Sequence, residues 1–444
     1  MFPNTGSRSR LLHSRATLSL PGGNSRHTVY FPPYPIYAVR GEGARVIDAD
    51  GVSRLDLINN YSSLIHGHNH PKIVEAVVEQ AHKLLAVALP TEAEVELAEI
   101  LCDRLPSVEQ VRFANSGTEG VMMAIKAARA YTGRRLIAKI EGAYHGSSDS
   151  AAVSTSPAPN RWGDARYPTS VAEPGSGPGT ADDMLVLSMN DVEAGRASLR
   201  QHGSELAGVL IDPLVKNLAF QPASPEFLAM LREETTAAGA LLIFDEVYSL
   251  RLGFNGAQQA LGVRADLTAL GKIIGGGLPV GAVGGSAEIM TALFDPRPGK
   301  VRLAHGGTYN ANPLTMAAGS ASMKLFDREA FDRLSLLGDR LRAGFEEIIR
   351  ITGVPATVRG KTSMVGLFQG RMTGGTYRDV VAQMKSSPAI VERSARFFEH
   401  MLNNGVFFGA AGFFVLSTAL TEADIDFVLD KTLDGFRMLA TLPD

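Results

Sequence analysis

From about residue 110 to about residue 320, short apolar segments alternate with segments of helical periodicity. The alternation therefore predicts a mostly parallel β-sheet covered by helices, which is an α/β fold. The strand candidates are Val111–Ala114, Leu136–Ile140, Gly208–Ile211, Leu241–Phe244 and Ala282–Gly284.

Polar or aromatic residues follow several of these strand candidates directly. Ser116, Tyr144 and Asp245 each come shortly after an apolar segment. In open α/β sheets, ligands bind beyond the carboxyl ends of the strands. We therefore expect these three residues to converge on one binding site.

Asp245 and Lys272 together suggest a specific chemistry. Asp245 leads into Glu246 and Val247, and Lys272 precedes the glycine-rich run 275–281. An ionised aspartate keeps a ring nitrogen protonated, and a desolvated lysine amine forms a Schiff base with an aldehyde, which is what pyridoxal phosphate requires. Taken singly, each residue also fits a structural interpretation, a βα-loop acid or a solvated surface lysine.

The segment 113–120 predicts a strand, a turn of small residues and a helix start. Free backbone N–H groups at a helix start, together with the helix dipole, favour a bound phosphate. Ser116 and Glu119 also have the spacing of a capping box, so a purely structural role stays open. Tyr144 likewise fits either stacking on a flat cofactor or packing at the rim of a core.

Bulk properties exclude several classes of function. The chain has 444 residues, enough for at least two domains, and a net charge of −3 gives no electrostatic case for nucleic acid or an anionic membrane. The one cysteine, Cys102, can form no intrachain disulfide, which suits a cytoplasmic location and argues against a metal–thiolate site. No apolar stretch approaches the ~20 residues that span a bilayer.

In this order, the motifs resemble those of the class III (ω-type) aminotransferases. The resemblance covers nearly the whole chain from about Pro21, and it is closest to the branch that holds glutamate-1-semialdehyde aminomutase and β-amino acid aminotransferases. It implies a fold-type I pyridoxal phosphate-dependent transferase, with a large domain and a small C-terminal α+β domain. The matching stretches are Asn115–Glu119, Tyr144–Gly146, Asp245–Val247, Lys272 with its glycines, Gly307–Thr308 and Asn312–Pro313.

The resemblance also implies roles for individual residues. Lys272 and Asp245 are the expected catalytic residues, the first as the Schiff-base lysine and the second as the partner of the ring nitrogen. A homodimer with active sites at its interface is implied, because in the family a threonine of the partner subunit completes the phosphate site. The expected cofactor-binding residues are Ser116, Gly117, Thr118, Tyr144, Asn217, Asp245, Val247, Lys272 and Thr308.

Substrate selection depends on positions where the chain partly departs from the family. Arg26 falls where β-amino acid aminotransferases place an arginine for the substrate carboxylate, although a solvated side chain is the alternative. Ala411 occupies the position of a second arginine, and Asp212 replaces a glutamate before proline. The roles of Ala411 and Asp212 stay open.

The chain divides by pattern into a segment 1–60 of the small domain, a large cofactor-binding domain 61–325 and a C-terminal small domain 326–444. The first 41 residues contain arginines and no acid, which loosely resembles a transit peptide, but we prefer the family's own N-terminal helix. Residues 150–183 form a Ser/Pro/Gly-rich insertion that either covers the cofactor or is a surface excursion.

Three functions follow as hypotheses. The first is a pyridoxal phosphate-dependent aminotransferase that moves an amino group between an amine or β-amino acid and a keto acid through a Lys272 Schiff base. The second is an intramolecular aminomutase of the glutamate-1-semialdehyde type, and the third is a non-catalytic protein that kept the fold. The expected partners are these small molecules, with no nucleic acid, membrane or metal. The sequence leaves donor, acceptor and stereochemistry undetermined.

Overall fold

The computed structural model of the protein describes residues 2–297, 299 and 301–441. The chain forms two compact units. The first contains the residues up to 71, residues 332–371 and the residues from 384 onward. The second contains residues 72–331 and 372–383.

The strands are short, as the apolar segments predict. They are β1 Ala38–Glu42, β2 Arg45–Asp48, β3 Ser53–Asp56, β4 Gln110–Ala114, β5 Leu136–Ile140, β6 Met184–Leu187, β7 Leu206–Ile211, β8 Leu214–Val215, β9 Gln221–Pro222, β10 Leu241–Asp245, β11 Leu267–Gly271, β12 Gly281–Gly285, β13 Ala356–Lys361, β14 Met364–Gln369, β15 Val406–Phe407 and β16 Phe413–Val415.

The second unit contains a seven-stranded sheet in the order β4–β12–β11–β10–β7–β5–β6. β12 runs antiparallel to both of its neighbours, and the other adjacent pairs are parallel. The mostly parallel α/β sheet predicted from the sequence is therefore confirmed. Each of the five strand candidates lies within one of its strands.

Two strands of this sheet were not among the candidates. β11 leads directly into Lys272, and β6 begins at Met184, immediately after the Ser/Pro/Gly-rich stretch. Both are short and lie beside segments dominated by turn residues, so their periodicity is weak in the sequence.

The core of the second unit lies on both faces of the sheet. Successive residues of β10 pack into different clusters, with Ile243 in one and Leu242 and Phe244 in the other. A strand covered on both sides must be apolar throughout, which explains the continuous rather than alternating pattern of Leu241–Phe244.

Helices cover this sheet and complete the first unit. The change of pattern after about residue 325 predicts a long helix over Leu334–Ile351, and the helix of the structure is longer, from Arg328 to Thr352. The α-helices are Arg8–Ala16, Pro71–Lys83, Glu92–Arg104, Gly117–Thr132, Asp149–Ala152, Val192–Gln201, Pro225–Ala238, Glu246–Ser249, Gly256–Leu261, Ala287–Phe294, Pro313–Leu325, Arg328–Thr352, Tyr377–Ser386, Pro388–Asn403 and Glu422–Leu439. Of the helices described, none is both long and apolar enough to cross a membrane.

The first unit joins both ends of the chain. β1, β2 and β3 form an antiparallel meander, and β15 extends it by pairing parallel to β3, with Val406 opposite Leu55. β13, β14 and β16 form a second antiparallel sheet. N-terminal and C-terminal residues therefore share one sheet.

The short segment 372–383 packs within the second unit through a partly buried arginine. Arg378 Nε donates to Glu141 Oε2 at 2.8 Å, and its Nη2 donates to the carbonyl of Trp162 at 2.6 Å. Arg378 Nη1 donates to the carbonyl of Gly163 at 3.0 Å. One guanidinium thus connects the end of β5 with the insertion 150–183.

Lys139, the penultimate residue of β5, is fully buried. Its Nζ donates to the carbonyls of Ala143, Ala151 and Val153 at 2.9, 2.8 and 2.6 Å. Three carbonyls aimed at one ammonium group satisfy a buried charge that would otherwise be costly. This contact fixes the chain from 143 to 153, which includes Tyr144.

We predict that Lys139→Met lowers the free energy of unfolding by about 3 kcal/mol, because three buried carbonyls lose their donor. Urea-induced unfolding measures the change. Lys126→Met, at an exposed position of the helix Gly117–Thr132, is the matched control and should stay within about 0.5 kcal/mol of the wild type. Equal stabilities of the two variants would contradict the role assigned to Lys139.

Candidate active site

The carboxyl ends of adjacent parallel strands bring three ionisable residues to one edge of the sheet. Asp245 ends β10, Lys272 follows β11, and Asp212 follows β7. β10 lies between the other two strands, with Ile211 opposite Phe244 and Ala269 opposite Asp245. The sheet topology therefore dictates that these side chains are neighbours.

Lys272 lies in an environment that favours its neutral amine. Burial of the amine lowers the pKa of Lys272 to about 8, although the nearby carboxylates of Asp245 and Asp212 act in the opposite direction. Its Nζ lies 4.8 Å from the centre of the Tyr248 ring. The backbone of Lys272 has a φ of 51°, a left-handed conformation that is uncommon outside glycine.

Asp245 is buried and held by two hydrogen bonds. Its Oδ1 accepts from the Val247 backbone at 3.0 Å, and its Oδ2 lies 2.7 Å from His145 Nδ1. Because an ionised carboxylate only accepts hydrogen bonds, the His145 hydrogen sits on Nδ1. These bonds orient the carboxylate at the end of β10.

His145 is a site residue that the sequence reasoning missed. It is buried, and the loss of water lowers its pKa, although Asp245 opposes that shift. His145 Nε2 is buried and has no hydrogen-bond partner among the described residues. The one available signal was its place after Tyr144, which does not indicate burial or pairing with a residue 100 positions away.

Asp212 also favours its neutral form. Burial, followed by the repulsion of Asp245, raises the pKa of Asp212 well above its usual range. Its Oδ1 accepts from the Leu214 backbone at 3.1 Å. The shorter acid at this position is therefore a buried group within the electrostatic reach of Lys272.

Ser116 begins the helix Gly117–Thr132, and its hydroxyl accepts from the Glu119 backbone at 3.2 Å. In a capping box, the Glu119 side chain would accept a hydrogen bond from the backbone N–H of Ser116. Here Glu119 Oε2 accepts instead from the backbone N–H of Asn115, one residue earlier, at 2.6 Å. Within the described chain, the backbone N–H groups of Gly117 and Thr118 have no hydrogen-bond acceptor. The helix therefore has the cap and two available donors for an anion.

Close packing joins this turn to the other parts of the site. A Cβ at Gly117 would lie 2.6 Å from Val247 Cγ1, and a Cβ at Gly146, where φ is 94°, would lie 2.6 Å from Thr118 Oγ1. Only glycine fits at these two contacts. The helix start at 116–118, the end of β10 and the Tyr144–Gly146 turn therefore converge, as the sequence predicts.

The remaining predicted residues have varied environments. Asn217 Nδ2 donates to the Gly142 carbonyl at 3.0 Å. Gly142 lies two residues before Tyr144, which is 61% exposed. Thr308 is exposed, and its hydroxyl has no hydrogen-bond partner in the part of the chain described. Arg26 belongs to the first unit, where its Nη1 donates to Asn60 Oδ1 at 2.9 Å.

The geometry suits a cofactor with three distinct groups. The helix start offers donors to a phosphate, Asp245 offers an anion to a ring nitrogen, and Lys272 offers a desolvated amine to an aldehyde. These features together define the class of protein that binds a phosphorylated pyridine aldehyde at the strand ends of an α/β sheet.

Comparison with known proteins gives the family. Residues 28–432 match the model of the class-III aminotransferases, and the chain belongs to that family. An ω-transaminase structure from Sphaerobacter thermophilus has a TM-score of 0.94 and 48% identity, covering 98% of both chains.

Two curated relatives represent different reactions. A β-phenylalanine transaminase of Variovorax paradoxus is 40% identical over 412 residues, which are 92% of this chain and 87% of the relative. A glutamate-1-semialdehyde 2,1-aminomutase of Exiguobacterium sp. is 39% identical over 438 residues, 97% of each protein. The resemblance stated from the motifs is confirmed, and with it the fold-type I architecture. This chain is an enzyme of a family that uses pyridoxal phosphate.

We predict that the cofactor-free protein recombines with pyridoxal phosphate at a rate that rises with pH to about 8 and then levels off. A lysine attacks an aldehyde only as the neutral amine, and a pKa of about 8 leaves Lys272 largely neutral above that pH. Stopped-flow absorbance of the covalently bound cofactor measures the rate.

Lys272→Ala is the control and should show no covalent attachment at any pH. A rate that continues to rise to about pH 10, as for a solvated lysine, would contradict the desolvated amine.

Proposed function

We propose that this enzyme transfers an amino group between an amine or β-amino acid and a keto acid, with Lys272 bonded to the cofactor. The observation that carries the proposal is the desolvated Lys272 amine beside Asp245 at adjacent strand ends. The similarity to an ω-transaminase and to a β-phenylalanine transaminase supports the amine and β-amino acid substrates.

Bound pyridoxal phosphate supplies an aldehyde that condenses with amines and a protonated ring that takes up an electron pair from the adjacent carbon. Asp245 pairs with the ring nitrogen and keeps it protonated, and His145 holds that carboxylate in place. Backbone N–H groups of Gly117 and Thr118, beside the Ser116 cap, bind the phosphate.

Lys272 Nζ has a second task as the base of the reaction. With an amine substrate on the cofactor, the free Nζ would take up the proton from the substrate carbon that bears the amino group and would deliver it back. A general base works best when its pKa lies near the operating pH, and burial places that of Lys272 at about 8.

Further residues hold the ring in position. Tyr144 would stack on one face of the bound ring, and Val247, which packs against Gly117, would contact the other. Asn217 would lie near the phenolic oxygen of the bound cofactor, as the resemblance to the aminomutase branch implies. Its hydrogen bond to the Gly142 carbonyl holds it beside the Tyr144 turn.

Arg26 binds the carboxylate of the β-amino acid. A planar guanidinium forms two parallel hydrogen bonds with a carboxylate. Ala411 provides no charge at the position where β-amino acid aminotransferases have a second arginine, so the keto acid is held differently.

A second candidate is the intramolecular aminomutase reaction. It is favoured by Ala411, since a mutase needs no keto-acid arginine, and by the 39% identity to a glutamate-1-semialdehyde 2,1-aminomutase. The Arg26 position favours the aminotransferase instead.

Separate half-reactions distinguish the two functions. We predict that β-phenylalanine alone converts the bound cofactor from its aldehyde to its amine form, and that pyruvate or 2-oxoglutarate restores the aldehyde. Visible absorbance of the purified holoenzyme follows both steps, with Lys272→Ala as the inactive control. Turnover of glutamate-1-semialdehyde alone, without conversion by any amine donor, would overturn the aminotransferase assignment.

We further propose a homodimer with active sites at its interface. Exposed apolar side chains Val74, Val78, Leu84 and Leu85 form a surface of the second unit that suits a second copy. Asn312 Nδ2 donates to the Leu85 carbonyl at 3.0 Å, so the segment after Thr308 adjoins this surface. Thr308 then completes the phosphate site of the partner subunit.

We predict complementation between two defective subunits. Mixing Lys272→Ala with Thr308→Ala subunits places both defects in one site of the heterodimer and leaves the other site whole. Activity and cofactor retention of isolated heterodimers should therefore exceed those of either parent. Heterodimers no more active than the parents would count against a shared site.

We also propose a cytoplasmic location. Cys102 is the only cysteine of the chain, and it is partly buried and unpaired. A protein with no possible intrachain disulfide suits a reducing compartment.

A further inference from the structure

Four consecutive residues of the first unit have a left-handed backbone. Asn59, Asn60, Tyr61 and Ser62 have φ values of 50°, 48°, 54° and 76°, and none of them is glycine. Side chains disfavour this conformation, and such strain is typically found where function needs it. We call residues 59–62 the left-handed turn.

Buried contacts hold the left-handed turn in place. Asp56 Oδ1 accepts from the backbones of Ile58 and Asn59 at 2.8 and 2.9 Å. Asn59 Nδ2 donates to the carbonyls of Asp56 and Val415 at 3.0 and 2.7 Å. The surrounding structure therefore enforces the strained conformation.

The left-handed turn contacts the segment that contains Arg26. Asn60 Oδ1 accepts from Arg26 Nη1 at 2.9 Å, and the Tyr61 hydroxyl donates to the Thr28 carbonyl at 2.5 Å. The Asn60 side chain thus holds the Arg26 guanidinium, and the adjacent Tyr61 side chain holds the backbone of Thr28, two residues after Arg26. A right-handed turn would direct them elsewhere.

Arg26 is held by the neutral amide of Asn60. This contact does not neutralise the positive charge of Arg26, which can therefore bind another ligand. No acid forms an ion pair with it in the described residues, and its Nε and Nη2 have no acceptor there. Arg26 is exposed. The edge formed by Nε and Nη2 is the edge that binds a carboxylate through two parallel bonds.

We propose that Asn60 is a positioning residue that fixes the orientation of the Arg26 guanidinium and leaves its charge available to the substrate carboxylate. This inference rests on the proposed function, in which Arg26 binds that carboxylate. It deepens that function, because it makes the left-handed turn a determinant of specificity for amino acids over simple amines.

Asn60→Asp is the decisive variant, since aspartate is nearly isosteric and also tolerates a left-handed backbone. It should keep Arg26 in place but pair with its charge. We predict that KM for β-phenylalanine rises about tenfold with kcat unchanged, because an ionic hydrogen bond must be displaced. KM for 1-phenylethylamine, the same donor without the carboxylate, should stay unchanged.

Two further variants isolate the effect. Asn60→Gly suits the left-handed backbone and removes the contact, so KM for β-phenylalanine should rise about threefold to tenfold without a lower melting temperature. Ser63→Ala removes the partner of Asn60 Nδ2, which donates to Ser63 Oγ at 3.0 Å, and leaves Arg26 untouched. This control should match the wild type with both donors.

The inhibition constant of 3-phenylpropanoate, which has the carboxylate and no amino group, gives a binding readout. It should rise in Asn60→Asp by the same factor as KM. If Arg26→Ala weakens β-phenylalanine binding and Asn60→Asp does not, or if Asn60→Asp affects both donors alike, Asn60 is only structural and the inference is overturned. If Arg26→Ala leaves the KM for β-phenylalanine unchanged, Arg26 does not bind the carboxylate. That result overturns the proposed role of Arg26, and with it the inference about Asn60.

Discussion

Removal of water from the carboxyl ends of β7, β10 and β11 is the constraint on which the site depends. Desolvation favours the neutral forms of Lys272, His145 and Asp212, and each shift has burial as its largest cause. Each oxygen of Asp245 accepts a hydrogen bond, Oδ2 from His145 and Oδ1 from the Val247 backbone. The arrangement thereby places a desolvated amine near a carboxylate whose orientation is fixed.

This environment depends on packing far from the reacting groups. Continuous apolar strands bury the sheet on both faces, so its ends are the places where polar side chains can gather. Glycine at 117 lets the helix start approach Val247, two residues after β10, and glycine at 146 lets the 144–146 turn approach Thr118. Lys139 then fixes the chain after β5 by its carbonyl contacts. A buried lysine without a role in the proposed reaction thus supports the position of Tyr144 and His145.

The sequence predicted the sheet and the convergence of Ser116, Tyr144 and Asp245, because strand periodicity and strand ends are local signals. It did not predict the pairing of His145 with Asp245 or of Arg378 with Glu141, since these contacts join residues 100 and 237 positions apart. The left-handed turn at 59–62 was also missed, because Asn59 and Asn60 tolerate a positive φ but do not require it. What determined these features was the tertiary environment rather than residue type or spacing.

The path of the chain between the two units has a consequence for its evolution. The chain leaves the first unit after residue 71, returns at 332, leaves again at 372 and returns at 384. Neither unit corresponds to one uninterrupted stretch of the gene. A recombination event with a single breakpoint between residues 141 and 378 would therefore take parts of both units from different ancestors. It would also take Glu141 and Arg378, which form an ion pair, from different ancestors. New specificities in such a chain arise more readily by substitution at loops and turns than by exchange of whole domains.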